Sequence, residues 1–316
     1  MRLSRISQST SGKLCLEGVD VIISCCGYEE RCTSLMDYYS QTLKEIKTKK
    51  VLVFNEPQCD TLHKNKKMFE NFGFLLVDVS PKEQFISRLN VLEQLFVDIE
   101  FMERMTFLID YSSMNREWYS SILLYLNHFS NDICKELECR FYYQIPKYTN
   151  MKDENFAFSS IRPLNGFAWF SLPDKPLALI VGLGSEEKAL NGIWQYADVD
   201  PDYVHYFYTN NEHFFNLSNK YKELFDRINE TNKHEYQLDR LVPLFNSLCD
   251  LYILLSETNR VAIISCGPKP FTLMSLAFAK LYNVDVWKLE TNVSDHPVVK
   301  ESSGESILIS FVYKGK

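Results

Sequence analysis

The chain has 316 residues, 46% of them hydrophobic and 14% aromatic, which is enough apolar material for two packed domains and excludes a disordered chain. The formal net charge of −7 excludes a general nucleic-acid-binding protein, because contact with many phosphates requires a basic surface. The sequence shows no apolar run of the roughly 18 residues that a membrane helix needs and no signal peptide, so we expect a cytoplasmic, non-membrane protein.

Short apolar runs alternate with segments of helical spacing through the first half of the chain. Between the runs, residues such as Leu89, Leu92 and Phe96 fall on one face of a helix. Continuous apolar strands that alternate with helices predict a parallel sheet covered on both faces, as in a Rossmann-like α/β domain. The runs are rich in β-branched and aromatic residues and lie at 19–26, 50–54, 74–79, 106–109 and 139–145.

The alternation stops near residue 147 and starts again near residue 177. The segment between is polar and contains several prolines, a composition typical of a connection between domains. We therefore predict a first Rossmann-like domain at 1–150, a junction at 151–175 and a second Rossmann-like domain at 176–316, both with mainly parallel sheets. The run at 307–313 predicts a last, antiparallel strand at an edge of the second domain.

The two predicted domains match each other at equivalent positions. Gly27 and Gly184 each follow the first strand of a domain and are 157 residues apart. Asp110 and Ser265 each end the fourth strand and are 155 residues apart. Nearly equal offsets at two landmarks predict that the domains arose by internal duplication.

The loops after the first and fourth strands are the expected sites of function, because open parallel sheets bind ligands at the carboxyl ends where the strand order reverses. In the first domain the loop after the first strand contains Gly27, Glu29, Glu30 and Arg31. Gly27 can take a positive φ in a tight turn, either glutamate can bind a ribose hydroxyl, and Arg31 can reach a phosphate. Alternatively, the glutamates only begin a helix, where negative charge suits the helix dipole.

The loop after the fourth strand of the first domain reads DYSSMNR and contains Asp110, Ser112, Ser113 and Arg116. A buried Asp110 needs a partner such as Arg31 or Arg116, and the serine hydroxyls and Arg116 are candidate ligand contacts. Alternatively, Ser112 or Ser113 caps the following helix and the carboxylate belongs to a structural ion pair.

In the second domain, Gly184 and Ser185 follow the first strand, and Ser265, Gly267 and Lys269 follow the fourth. A glycine loop, a lysine and a helix N-terminus together predict an anion-binding loop. Neither domain carries a complete GxGxxG fingerprint, which argues against NAD binding, and we expect no cofactor. Without a CxxC pair or an HExxH motif, we expect no metal site either.

The segment SCGPKPFTLMSLAFA, residues 265–279, resembles the signature of CARF domains, the Rossmann-like sensors of cyclic oligonucleotides in CRISPR-linked immunity. Their fourth strand ends in a loop of the Thr-Gly-Gly-Thr-Lys-Pro-Met type before an apolar helix. Ser265, Gly267 and Lys269 fit that loop, while Pro268 replaces the usual threonine and its hydroxyl. A tandem of two such units resembles SAVED domains of CBASS defence. The resemblance implies a cyclic oligonucleotide ligand and either an effector partner or a homodimer.

Three functions stay open from the sequence. The leading interpretation is a protein that binds a nucleotide-type anion in bacterial defence or signalling and acts with a partner effector. The alternative is a nucleotide-processing enzyme of hydrolase or glycosidase type, in which Glu29, Glu30 and Asp110 are the catalytic residues. A third interpretation is a structural subunit whose loops only cap helices.

Overall fold

The computed structural model describes residues 1–9, 16–55, 58–128, 133–147, 158–169, 174–184, 193, 197, 199–210, 219, 221–291 and 301–315. These residues belong to two compact units. The first comprises Met1–Tyr148 together with His296–Lys316, and the second comprises Thr149–Asp295. In the described part of the chain, no helix combines the length and the apolar character needed to cross a bilayer.

The first unit is a sheet with helices on both faces. Its strand order is β1-β13-β6-β5-β2-β3-β4, with strands counted along the whole chain. Strands β2 to β6 run parallel, and β13 runs antiparallel to both of its neighbours. The strands are β1 (Arg2–Gln8), β2 (Val21–Cys26), β3 (Thr48–Phe54), β4 (Leu75–Val79), β5 (Arg104–Asp110), β6 (Glu136–Pro146) and β13 (Ser302–Lys314). The helices are α1 (Ser34–Glu45), α2 (Asp60–Asn71), α3 (Phe85–Phe96) and α4 (Arg116–His128).

The apolar sequence of the central strands explains why helices cover both faces of this sheet. All residues of β2 are buried, as expected of a strand that carries a helix layer on each face. On one face, Leu35 of α1 and Phe69 of α2 join Ile22 in a continuous apolar cluster. On the other face, Phe96 of α3 stacks on Phe107 of β5 with ring centroids 5.4 Å apart.

The second unit has the order β10-β9-β8-β11-β12-β7. All neighbouring strands pair in parallel except β7, which is antiparallel to β12. The strands are β7 (Phe158–Pro163), β8 (Leu177–Gly182), β9 (Val204–Tyr208), β10 (Lys233–Glu235), β11 (Arg260–Ser265) and β12 (Asp285–Thr291). The helices among the described residues are α5 (Lys222–Phe225), α6 (Leu241–Ser256) and α7 (Lys269–Tyr282).

The predicted fold class, two tandem Rossmann-like α/β units with mainly parallel sheets, is confirmed. When only the parallel strands are counted in chain order, both sheets read 3-2-1-4-5, with an antiparallel strand beside the fifth. Asp110 and Ser265 both end the fourth strand, as predicted. The shared order agrees with an internal duplication, which itself stays a prediction.

The predicted position of the last strand is wrong. Strand β13 belongs to the first sheet, where it lies between β1 and β6 rather than at an edge. Its residues from Ile307 to Tyr313 are buried, and pairing on both sides satisfies their backbone groups. The first unit therefore takes residues 296–316, which were predicted for the second domain.

The predicted junction at 151–175 is also corrected in part. Its described residues include β7, which pairs with β12 and so extends the second sheet. The second unit accordingly begins near residue 149 rather than 176. Prolines and polar residues marked this segment as a connection, but a short edge strand tolerates both.

Candidate functional site

The first sheet brings two predicted loops together at its carboxyl edge. Strands β2 and β5 are parallel neighbours, and the strand order reverses between them, which is where open sheets bind ligands. The Ser113 hydroxyl, in the loop after β5, donates a hydrogen bond to Glu29 Oε2, in the loop after β2, over 3.2 Å. The predicted meeting of these loops is therefore observed.

The buried side chain of Arg31 fixes the carboxylate of Glu29. The Arg31 Nε and Nη2 atoms each lie 2.8 Å from Glu29 Oε2. The Arg31 side chain is only 1% exposed, whereas the Glu29 side chain keeps 13% of its surface accessible. A charge-assisted contact of this kind fixes the direction of a carboxylate.

The Arg31 guanidinium also contacts other residues of the first unit. Its Nη1 donates to the Gln144 carbonyl over 2.9 Å, and its guanidinium lies 5.4 Å from the centre of the Tyr143 ring. Burial alone would lower the pKa of Arg31, but the charge of Glu29 and hydrogen bonds with Glu29 and Tyr143 raise it above its usual value. A charged Arg31 in this position anchors Glu29 instead of facing solvent, which favours anchoring over the predicted contact with a phosphate.

The two adjacent glutamates have different environments. Glu29 precedes the 3-10 turn Glu30–Thr33, but its side chain makes no capping hydrogen bond. Glu30 is exposed and begins the turn, and its predicted catalytic role stays a prediction. The alternative that both glutamates serve the helix start does not hold for Glu29, whose carboxylate is directed to Arg31 and Ser113.

Gly27 does not have the conformation expected of it. It is not among the residues with positive φ, and a Cβ added there would meet no atom within 4 Å. The turn is instead supported by Asn65 of α2, a buried residue that no sequence pattern indicated. Its Nδ2 donates to the carbonyls of Gly27 and Glu29 over 2.9 and 3.1 Å.

Asp110 is buried at the end of β5, with 2% exposure. Its carboxylate accepts hydrogen bonds from the Ser24 hydroxyl over 3.4 Å and from the Ser112 backbone N–H over 3.0 Å. The predicted partners were Arg31 and Arg116. The hydroxyl and amide donors observed here stabilise the buried carboxylate by hydrogen bonding to its oxygens, and the predicted pairing with Arg31 or Arg116 stays a prediction.

The capping alternative for the serines is wrong. Asn115 caps α4, because its Oδ1 accepts the Trp118 N–H over 3.0 Å, the geometry of an N-cap residue. Ser112 is used differently, since its hydroxyl accepts the Gln144 N–H over 2.8 Å. Arg116 is the first residue of α4 and is partly exposed.

An aromatic cluster lies next to these polar groups. The Tyr111 ring is centred 5.3 Å from that of Tyr143 and 5.4 Å from that of Tyr119. The Tyr111 hydroxyl is buried and meets no hydrogen-bond acceptor among the described residues. Burial and the neighbouring tyrosines raise the pKa of Tyr111 well above its usual value, so its phenol stays protonated and able to donate.

In the second unit, the predicted glycines bring two loops into backbone contact. A Cβ on Gly184 would lie 2.1 Å from the Cys266 carbonyl oxygen, and one on Gly267 would lie 3.2 Å from the Leu183 oxygen. The Tyr221 hydroxyl donates to the Gly184 carbonyl over 2.8 Å. Close packing therefore explains both glycines, with no ligand required.

Ser265 and Lys269 lie near the start of α7. The buried Ser265 hydroxyl shares a hydrogen bond with the Thr272 hydroxyl inside the unit. Lys269 is the first residue of α7, which has no side-chain cap and no acidic residue in its first turn. A cation there opposes the helix dipole, and an anion bound at this end would relieve that conflict. The predicted contact Ser185 lies outside the described residues.

Neither a protein-family model nor a curated protein matches the chain. The resemblance to CARF and SAVED domains thus stays a prediction that depends on the loop residues. In the described ranges, no group of three or more His, Cys, Asp or Glu side chains is placed to hold a metal ion.

Proposed function

We propose that the protein binds a nucleotide-type ligand at the carboxyl ends of its sheets, with Glu29 as the central contact in the first unit. The observation that carries the proposal is the carboxylate of Glu29, which Arg31 and Ser113 fix on a side chain that is 13% exposed. An acidic side chain at the same edge of Rossmann-type sheets accepts hydrogen bonds from ribose hydroxyls.

The phosphate groups of such a ligand require donors and positive charge. In the first unit, the partly exposed Arg116 at the start of α4 meets this need. In the second unit, Lys269 and the start of α7, where Pro268 provides no side-chain cap, do so. Each unit is proposed as a binding unit by itself.

The loop resemblance extends this proposal to the identity of the ligand. A CARF-like or SAVED-like protein would bind a cyclic oligonucleotide made during bacterial defence or signalling. In that setting, ligand binding would act on an effector protein or on a second copy of this chain. The support is the fit of Ser265, Gly267 and Lys269 to the CARF loop.

A specific observation favours an enzyme as the second candidate. Glu29 and Asp110 come from loops at the ends of neighbouring strands, one partly exposed and one buried. Two carboxylates in unlike environments, one partly exposed and one buried, are suited to general acid–base chemistry. The substrate would be a nucleotide, and the reaction a hydrolysis, including cleavage of a glycosidic bond.

Titration calorimetry with ATP, GTP, NAD, cyclic di-AMP and cyclic tri-AMP tests the binding proposal. Lys269→Ala should weaken binding in the second unit by roughly 10- to 150-fold, the effect of losing one charge-assisted contact. Glu29→Gln should weaken binding in the first unit, while the matched variant Glu30→Gln should not. Absence of binding by the wild type to all five compounds would refute the proposal.

Chromatography of the same mixtures over time separates the enzyme from the sensor. Turnover by the wild type that is lost in Glu29→Gln and Asp110→Asn, with melting curves that show folded protein, would establish the enzyme. Binding without any product would leave the sensor. Equal turnover by the wild type and both variants would remove these carboxylates from catalysis.

A further inference from the structure

Tyr28 lies between Gly27 and Glu29 in the loop after β2, at the carboxyl edge of the first sheet. Its side chain is partly exposed. The neighbouring tyrosines of the candidate site differ in this respect, because Tyr111 and Tyr143 are buried. A ligand held beside Glu29 can therefore contact the ring of Tyr28, whereas the rings of the buried tyrosines are out of its reach.

The ring of Tyr28 is not used in packing against another ring. Among the described residues, no aromatic side chain stacks on it and none shares a hydrogen bond with its hydroxyl. An aromatic face that is left to water is a favourable surface for a flat ligand, because stacking removes the apolar faces of both rings from water.

The backbone on both sides of Tyr28 is fixed by one side chain of α2. Asn65 Nδ2 donates to the carbonyls of Gly27 and Glu29 over 2.9 and 3.1 Å, so its two hydrogen bonds flank Tyr28. Asn65 is itself buried. A ring on a backbone that is already fixed loses little conformational freedom when a ligand binds, which favours affinity.

The surroundings of the Tyr28 ring leave room for a ligand. A Cβ added at Gly27 would meet no atom within 4 Å apart from its chain neighbours, so the space beside this backbone is open. Burial and the charge of Glu29 raise the pKa of Tyr28 above its usual value. The phenol therefore stays neutral and does not repel the phosphates of a nucleotide.

We propose that Tyr28 stacks on the base of the nucleotide whose ribose Glu29 binds, an inference that rests on the proposed function of the first unit. Tyr28 and Glu29 are consecutive residues with Cα atoms about 3.8 Å apart, and the base and the ribose are joined by one bond. Neighbouring side chains thus contact neighbouring parts of the ligand. Because every base has an aromatic face, Tyr28 distinguishes nucleotides from ribose phosphates rather than one base from another.

Calorimetry of the full chain with ATP, GTP, NAD, cyclic di-AMP and cyclic tri-AMP tests this role, since all five contain a purine. Tyr28→Leu removes the ring and should weaken the binding of each compound that Glu29→Gln weakens, by about 5- to 150-fold, the effect of one stacked base. Tyr28→Phe keeps the ring and should bind as the wild type does. Tyr38→Leu, the same change at an exposed tyrosine of α1, should have no effect.

A comparison of AMP with ribose 5-phosphate separates stacking from a merely structural role of Tyr28. The two compounds share a ribose and a phosphate, and only AMP has a base. The wild type should prefer AMP by about 5- to 150-fold, and Tyr28→Leu should remove this preference. A variant that only disturbs the loop would weaken the binding of both compounds alike.

Tyr28→Trp gives a second test if Tyr28→Leu unfolds. It keeps a ring at this position, and a stacked base should quench its fluorescence beyond any quenching in the wild type, which has four tryptophans elsewhere. Absence of binding by the wild type to all five compounds would refute the proposed function together with this inference. Equal binding by the wild type and folded Tyr28→Leu, an unchanged preference for AMP, or no added quenching in Tyr28→Trp would overturn the role of Tyr28 alone.

Discussion

The contact between Glu29 and Arg31 predicts that two adjacent glutamates differ in their importance for stability. Glu29→Gln keeps the size and one carbonyl oxygen of the side chain but removes the charge that faces the buried Arg31. Because the Arg31 side chain is 1% exposed, water cannot replace that charge, and breaking a buried pair is costly. Loss of a charge-assisted hydrogen bond gives an expected destabilisation of about 2 kcal/mol.

Glu30→Gln is the matched control, since Glu30 is exposed and surface changes cost at most about 0.5 kcal/mol. Urea unfolding followed by circular dichroism measures both variants against the wild type. The variant Arg31→Met and the double variant with Glu29→Gln complete a double-mutant cycle, in which we expect a coupling of at least about 1 kcal/mol. Equal stability of Glu29→Gln and Glu30→Gln, or a coupling near zero, would refute the anchoring of Glu29 by Arg31.

Three further predictions concern the two units separately. Gly184→Ala should destabilise the protein strongly or prevent folding, because its Cβ would lie 2.1 Å from a backbone oxygen. Gly27→Ala should be nearly neutral, because its Cβ would meet open space, and thermal melts compare the two variants. Asn115→Ala should cost about 1 kcal/mol in urea unfolding through loss of the α4 cap, and an unchanged midpoint would contradict that role. Burial, together with the neighbouring His205, lowers the pKa of His234 to about 4, so the unfolded chain binds more protons than the folded chain between pH 6.5 and 4. The free energy of unfolding should therefore fall as the pH falls through that window, and it should fall less steeply in His234→Gln.

Most of the parallel strands were accessible from the sequence because parallel α/β units have strong local signals. Apolar runs separated by helical segments restrict the topology to a few arrangements, and the residues at strand ends then fall at the carboxyl edge. The partner of β13 was not accessible in this way. Its pairing with β6 joins residues such as Phe311 and Cys139, which lie far apart in the chain, and no local pattern specifies such a contact.

For the candidate site too, the sequence indicated some features and left others unpredicted. The sequence placed Glu29 and Ser113 in loops that meet, but it could not tell which glutamate of the pair faces inwards, because a turn after a strand has no fixed periodicity. The capping role of Asn115 was predictable, because an asparagine directly before a helical segment is typical of a helix cap. Asn65 carried none, since its contact with the turn after β2 depends on how α2 packs.

The contrast between the two carboxyl edges has a consequence for the proposed ligand. In the first unit, Arg31 is buried and committed to Glu29, so the loop after β2 presents a carboxylate, and Arg116 at the start of α4 supplies a partly exposed positive charge. In the second unit, the corresponding edge presents Lys269 at the start of α7. A carboxylate binds hydroxyl groups and repels phosphates, while a lysine at a helix N-terminus attracts them. Arg116 begins the helix after the fourth strand as Lys269 does, so both edges supply a cation for a phosphate, and among the described residues the first edge adds the anchored carboxylate of Glu29 for a hydroxyl group.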